Sequence, residues 1–68
     1  MRNKKGFGAV LKKLREGKRM TQAQLAEMVG VTQGYIALIE SGARKNITTN
    51  LLQRLAKALK VKVAELLE

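Results

Sequence analysis

QAQLAEMVGVTQGYIALIES, residues 22–41, reads as two short helices broken once, at Gly30-Val31-Thr32. Thr21 stands just before the first helix and Gln24 three residues on. That spacing predicts a capping box, in which the Thr21 hydroxyl takes the Gln24 amide and the Gln24 side chain reaches back. Leu25, Ala26 and Val29 share one helical face. Gly30 ends the helix, because a positive φ costs glycine no steric penalty. Thr32 is placed to cap a second helix whose inward face carries Ile36 and Ile39. The small Ala26 lets the two helices cross closely. Two helices joined by a short turn with a glycine in it form a helix-turn-helix arrangement.

Working towards the N-terminus, Phe7, Val10, Leu11 and Leu14 fall at i, i+3, i+4 and i+7 and predict a helix with one apolar stripe. Lys12, Lys13 and Glu16 lie off that stripe. Gly17 is the expected stop, with Lys18 and Arg19 where cations favour a helix C-terminus. Met20 is expected to plug the core between the first two helices. Gly6-Phe7-Gly8 opens the helix weakly, with Asn3 or Gly6 as cap. Residues 1–5 hold Arg2, Lys4 and Lys5 without apolar periodicity and read as a basic arm, flexible or touching phosphates.

Towards the C-terminus, residues 43–47 form a polar loop carrying Arg44 and Lys45. Thr48 or Thr49 starts a fourth helix with Leu51, Leu52, Leu55, Ala58 and Leu59 on its apolar face. A short fifth helix from Val63 places Ala64, Leu66 and Leu67 to close the core. The expectation is an all-α domain of five short helices over residues 6–68, without repeat, low-complexity segment or linker.

Sixty-eight residues make one small domain. A chain of this size buries only about 60% of the surface its unfolded form exposes, so helix packing must be efficient. It has no cysteine and no histidine, which removes disulfides and the common zinc sites as staples. The same lack, with no paired carboxylate cluster, argues against an enzyme, and no cofactor or metal is expected. No apolar run approaches the ~20 residues that span a bilayer, and no signal peptide is visible, so a cytoplasmic protein is expected. Fourteen Lys and Arg against five acidic residues give a net charge of +9. Such a balance favours a polyanionic partner, above all nucleic acid, over a merely solvated surface or an anionic lipid. With one Tyr and one Phe, a platform for stacking single-stranded bases is disfavoured.

The stretch QAQLAEMVGVTQGYIALIESG resembles the helix-turn-helix of the phage-repressor and Cro family, also called the XRE family. The likeness rests on Gln22 after a capping Thr, Ala26 at the fifth place, Gly30 at the ninth, and apolar residues at Leu25, Val29, Val31, Ile36 and Ile39. Glu40 and then Gly42 complete it, and the similarity extends over residues 7–67. It implies a lambda-repressor-like DNA-binding domain with the helix-turn-helix at helices two and three. It also implies a prokaryotic or phage transcriptional regulator, commonly a repressor, bound as a homodimer to a palindromic operator in double-stranded DNA. The alternative is an antitoxin or restriction-modification controller that binds a protein partner as well. The dimer surface is sought at Leu66, Leu67 and the 43–47 loop.

By the same resemblance, Gln33–Ser41 is the recognition helix, Gln22 and Thr32 lie against backbone phosphates, and Arg15 pairs with Glu40 to tie that helix to the body. With Ile36 and Ile39 inward, Gly34, Ala37, Leu38 and Ser41 face out, Gln33 leads and Tyr35 flanks. A helix fits the major groove and meets base edges with its leading residues. The Gln33 amide can donate to and accept from adenine at once. Leu38 is either a contact to a thymine methyl or one of the single exposed leucines that are ordinary on surfaces. Gly34 stands where the family often places a base-reading side chain, and offers only backbone. Tyr35 either meets DNA or packs with its hydroxyl bonded. Arg44, Lys45 and Asn46 are expected on phosphates, which fix position rather than sequence. Two residues depart from the family pattern, which usually has glycine where Lys60 stands and a capping side chain where Lys62 stands. A blunter end to helix four and a weaker start to helix five are therefore expected.

Overall fold

The computed structural model describes residues 6–67, so the basic arm at residues 1–5 and Glu68 lie outside it. Five helices follow in order: α1 (Gly6–Gly17), α2 (Gln22–Val29), α3 (Gln33–Ser41), α4 (Thr49–Leu59) and α5 (Val63–Leu66). The capping box forms as the spacing predicts. The Thr21 hydroxyl accepts the Gln24 amide at 3.0 Å, and the Gln24 side-chain oxygen accepts the Thr21 amide at 2.8 Å. Gly30 takes the left-handed conformation, φ 86° and ψ 30°, and donates to the Ala26 carbonyl at 2.8 Å. Thr32 and Thr48 each accept an amide three residues on, opening α3 and α4.

Every helix sends at least one side chain into a single core. Leu11, Leu25, Ile36, Ile39, Leu55, Leu59 and Leu66 are fully buried, and Ala26, Val29, Leu51 and Ala56 lie among them. Each large side chain so buried stabilises the fold by roughly 1.5–3 kcal/mol against its exposed state. The helix-turn-helix is held from both sides: α1 packs on α3, and α4 packs on α2.

Three features depart from the sequence expectations. The buried line of α1 is Gly8, Leu11 and Arg15, with Phe7 and Leu14 packed at its edges and Val10 only half-buried. Gly8 lies where α1 meets the end of α3, and a Cβ there would collide with the Ile39 carbonyl oxygen and come within 2.8 Å of the Glu40 carbonyl oxygen. The helix stops at Gly17 as expected, but the left-handed residue of the turn is Arg19, at φ 57°. The amide of Met20 then bonds the Arg15 carbonyl, and the Arg15 guanidinium grips the Met20 carbonyl at 2.6 Å, so the turn is located by Arg15 rather than by the glycine. Finally, α5 closes the core with Leu66, and Val63 packs at its edge, while Ala64 and Leu67 are exposed.

Of the two expected weak points, the end of α4 is not blunted, since the Lys60 and Val61 amides close it on the Lys57 and Ala56 carbonyls, whereas the start of α5 is weakly capped. Lys60 adopts the left-handed C-cap itself, φ 58° and ψ 43°. Lys62 makes no side-chain cap, and α5 is a single turn.

Candidate nucleic-acid interface

The outer wall of α3 is open. Gln33 and Gly34 are exposed at its start, Leu38 is 47% exposed one turn on, and Ser41 is exposed at its end. Burial of Ile36 and Ile39 fixes this orientation, since rotating the helix would bring both out of the core. Thr32 is exposed; its hydroxyl oxygen accepts the Tyr35 amide at 3.1 Å and keeps its own proton to donate outward.

The base of α3 is anchored by a polar knot. Arg15 donates from Nε to Glu40 Oε2 at 2.6 Å and from Nη2 to Glu40 Oε1 at 3.1 Å, a bidentate fork. Both side chains are sheltered, at 9% and 3% exposure. The hydrogen bond to Glu40 raises the Arg15 pKa above its ordinary value against the lowering effect of burial, so the guanidinium keeps its charge throughout any pH at which the protein is handled. Gln22 joins the knot, its Nε2 donating to Glu40 Oε1 at 3.0 Å. A carboxylate only accepts, so the amide nitrogen must face it. The resemblance assigns Gln22 to a phosphate, whereas the structure commits one of its two amide hydrogens to Glu40 and leaves it half-buried.

Beyond α3 the chain is tied back to it. The Arg44 amide bonds the Leu38 carbonyl at 3.1 Å, and the Arg44 Nε donates to the Tyr35 hydroxyl at 3.2 Å. The guanidinium carbon also lies 5.0 Å from the centre of the Tyr35 ring. Tyr35 is thus half-buried and occupied by Arg44 rather than standing free at the flank. Lys45 and Asn46 are exposed, and Arg44 places one cation of this loop against the flank of α3.

Of the places considered for a dimer contact, Leu66 is excluded by complete burial, while Leu67 is 62% exposed and Ala43 to Asn46 are exposed. Two further residues shape the site without having been singled out in the sequence. Gly8 sets the close approach of α1 to α3, and its one signal was a helical glycine three residues before Leu11 and seven before Arg15. Arg54 donates from Nη1 to the Val29 carbonyl and from Nε to Asn50, both at 2.8 Å, closing the C-terminal end of α2 from α4. Only the Asn50–Arg54 spacing hints at it, and the contact to α2 has no local signature.

The model of a helix-turn-helix family matches residues 11–66. No curated protein gives a match. Among solved structures, the restriction-modification controller protein C.AhdI from Aeromonas hydrophila is 35% identical with a TM-score of 0.84, over 88% of this chain and 89% of that one. SinR, a master regulator for biofilm formation solved in complex with DNA, is 31% identical with a TM-score of 0.86, over 91% and 98%. FeII HppE in complex with substrate is 32% identical with a TM-score of 0.88 over 97% of this chain, which spans only 37% of that protein. The matched span takes in all of α2 to α5 and most of α1, and the chain belongs to the helix-turn-helix family of the phage-repressor and Cro type.

Proposed function

We propose that this chain binds double-stranded DNA sequence-specifically, as a transcriptional regulator that represses by occupying its operator. The α3 helix lies in the major groove with Gln33 at its leading end. Arg44, Lys45 and Asn46 take phosphates on one side, and Thr32 and Gln22 take them at the start of the two helices. The observation that carries this reading is the open outer wall of α3, braced from behind by Arg15 and Glu40 in a chain of charge +9. A helix of ordinary width enters the major groove, and cations beside it neutralise phosphates. The similarity to SinR in complex with DNA supports it. Two copies on a palindromic site, acting in the cytoplasm, complete the proposal, with the exposed Leu67 as the contact. No catalytic step, cofactor or metal enters it.

The test is selection of bound duplexes from a random pool, followed by titration with salt. Recovery of a two-fold symmetric site, its half-sites about 34 Å apart, supports the dimer. The log–log slope of affinity against salt should be about −0.9 for each phosphate contacted. Failure to enrich any duplex, or a slope near zero, rejects the reading. The similarity to the controller C.AhdI favours a second role, control of a restriction-modification operon. An antitoxin-like role would instead require a protein partner that co-elutes with the chain.

A further inference from the structure

We propose that the face built from α2, the turn before it and α4 docks an acidic peptide segment of a partner protein, in which carboxylates flank one large apolar side chain. No residue of α3 or of the 43–46 loop lines this face, so the proposal does not rest on the DNA reading.

Met28 is the centre of the face. Because α2 buries Leu25, Ala26 and Val29, Met28 is left at the edge of the helix and is 58% exposed. Two shallow depressions meet at its side chain. One, of about 380 Å³, runs to the α1–α2 turn and reaches Lys18, Arg19 and Met20. The other, of about 320 Å³, runs to α4 and reaches Arg54, Lys57 and Ala58. A methionine between two such depressions can repack around an incoming apolar group, being unbranched and polarisable.

Cations stand at both ends. Lys18, Arg19, Arg54 and Lys57 are all exposed. The ion pairs among the described residues are those of Arg15, so none of these four has a carboxylate partner there. Arg54 is also held in place, its Nε on Asn50 and its Nη1 on the Val29 carbonyl, each at 2.8 Å. Three of its five N–H groups are left over for an acceptor, and a guanidinium already fixed loses little freedom on binding.

The chemistry then selects the occupant. Four cations about an apolar centre match carboxylates about an apolar side chain. A phosphate backbone would answer the cations but bring no apolar group to Met28. A membrane surface would need a broad apolar stripe, and Met28 is the one large apolar side chain exposed on this face. Glu27 is the one carboxylate lining it, so the acidic residues of the peptide lie to either side of α2 rather than over it.

The experiment pans a displayed library of random dodecapeptides against the whole chain. Enriched peptides should share a large apolar residue between acidic ones, and should shift the amide resonances of Met28 and Lys57 while leaving those of Gly34 and Ala37 in place. Lys18→Glu with Lys57→Glu should weaken binding about ten-fold, since each change replaces an exposed attraction by a repulsion. Lys12→Glu with Lys13→Glu alters the net charge equally on a part of α1 outside the face, and should change binding by less than about two-fold at physiological salt. Met28→Ala, at an exposed helical site, should keep the parent's melting behaviour and weaken binding about ten-fold, the loss of one partly buried methionine contact. Peptides without this pattern, equal weakening by the two charge-reversed variants, or undiminished binding to Met28→Ala overturns the proposal. A single-stranded oligonucleotide that moves the Met28 and Lys57 amides at lower concentration than the peptide also overturns it, in favour of a second nucleic-acid contact. Failure of any duplex to enrich in the separate selection rejects the DNA reading and leaves this inference standing.

Discussion

Two turns in this molecule have the same backbone and different residues. In Ala26 to Thr32 and in Ala56 to Lys62 the chain leaves a helix through a left-handed residue, a valine and an extended cap. The left-handed positions are Gly30, φ 86°, and Lys60, φ 58°. Val31 and Val61 each return an amide to the alanine five residues back, Ala26 or Ala56, at 3.0 Å. The caps, Thr32 at φ −82°, ψ 157° and Lys62 at φ −83°, ψ 150°, are nearly superposable. The first turn carries residues suited to each position, and the second does not. What differs is the load behind them: the first aims the helix proposed to read DNA, and the second brings Leu66, with Val63 at its edge, to the core. Local chemistry is well matched where a helix must point, and relaxed where one buried side chain suffices.

The largest effect should come from removing what makes the first turn's precision matter. Glu40→Ala leaves the sheltered Arg15 with the Met20 carbonyl and the looser Glu16 carboxylate, 3.8 Å away, and frees the Gln22 amide. Breaking a buried pair from one side costs roughly 3–5 kcal/mol, and in so small a protein few atoms lie beyond the pair, so about 3 kcal/mol is expected. Denaturant unfolding measures it. A loss below about 1 kcal/mol would mean that the pair behaves as a surface ion pair, and that α3 is positioned by its apolar face alone.

How far the sequence could be read follows the same division. Thr21, Gln24, Gly30 and Thr32 act on groups within four residues, so their spacing alone disclosed both helices and the turn. The outward set of α3 followed from Ile36 and Ile39, because once two positions are inward the rest are determined. Gly8 was opaque, because its role depends on the Ile39 and Glu40 carbonyls, more than thirty residues away. Gly17 marked the end of α1 but not its left-handed residue: a glycine permits such a turn without demanding one, and Arg19 takes it, beside the grip of Arg15 on Met20. In the candidate site, the attachment of Arg44 to Tyr35 crosses a loop and carries no periodic signal. Gln22 was assigned to a phosphate by resemblance, and its bond to Glu40 is a further partner that no local spacing announced.

Substituting the second turn towards the first sharpens the comparison. The left-handed conformation costs a non-glycine residue roughly 1–2 kcal/mol, and glycine gives back about 0.5–1 kcal/mol in backbone entropy. Lys60→Gly should therefore stabilise the fold by about 0.5–1 kcal/mol, raising the melting temperature by several degrees, since about 1 kcal/mol moves a domain of this size by roughly 4–8 °C. A variant that melts lower would show that the Lys60 charge at the C-terminal end of α4 outweighs its strain.

Lys62→Ser is the smallest and most local change. The backbone at Lys62 already has the cap conformation, and Glu65 already supplies half of a capping box, its carboxylate accepting the Lys62 amide at 3.3 Å. The missing half is a side-chain oxygen for the Glu65 amide, which now donates only to the Lys62 carbonyl, at 2.9 Å, and to which the lysine side chain offers no second acceptor. Serine supplies it and reproduces the Thr21–Gln24 arrangement at the start of α2. A full cap is typically worth about 1 kcal/mol; on a helix of one turn with few amides to satisfy, about 0.5 kcal/mol is expected. Hydrogen exchange resolves this better than a melt, because the Glu65 amide should gain protection while those of α2 do not change. Unaltered exchange at Glu65 would mean that burial of Leu66 fixes α5 so firmly that its first turn makes no demand on the cap, and that the two turns differ in residues because only one of them is under strain to be right.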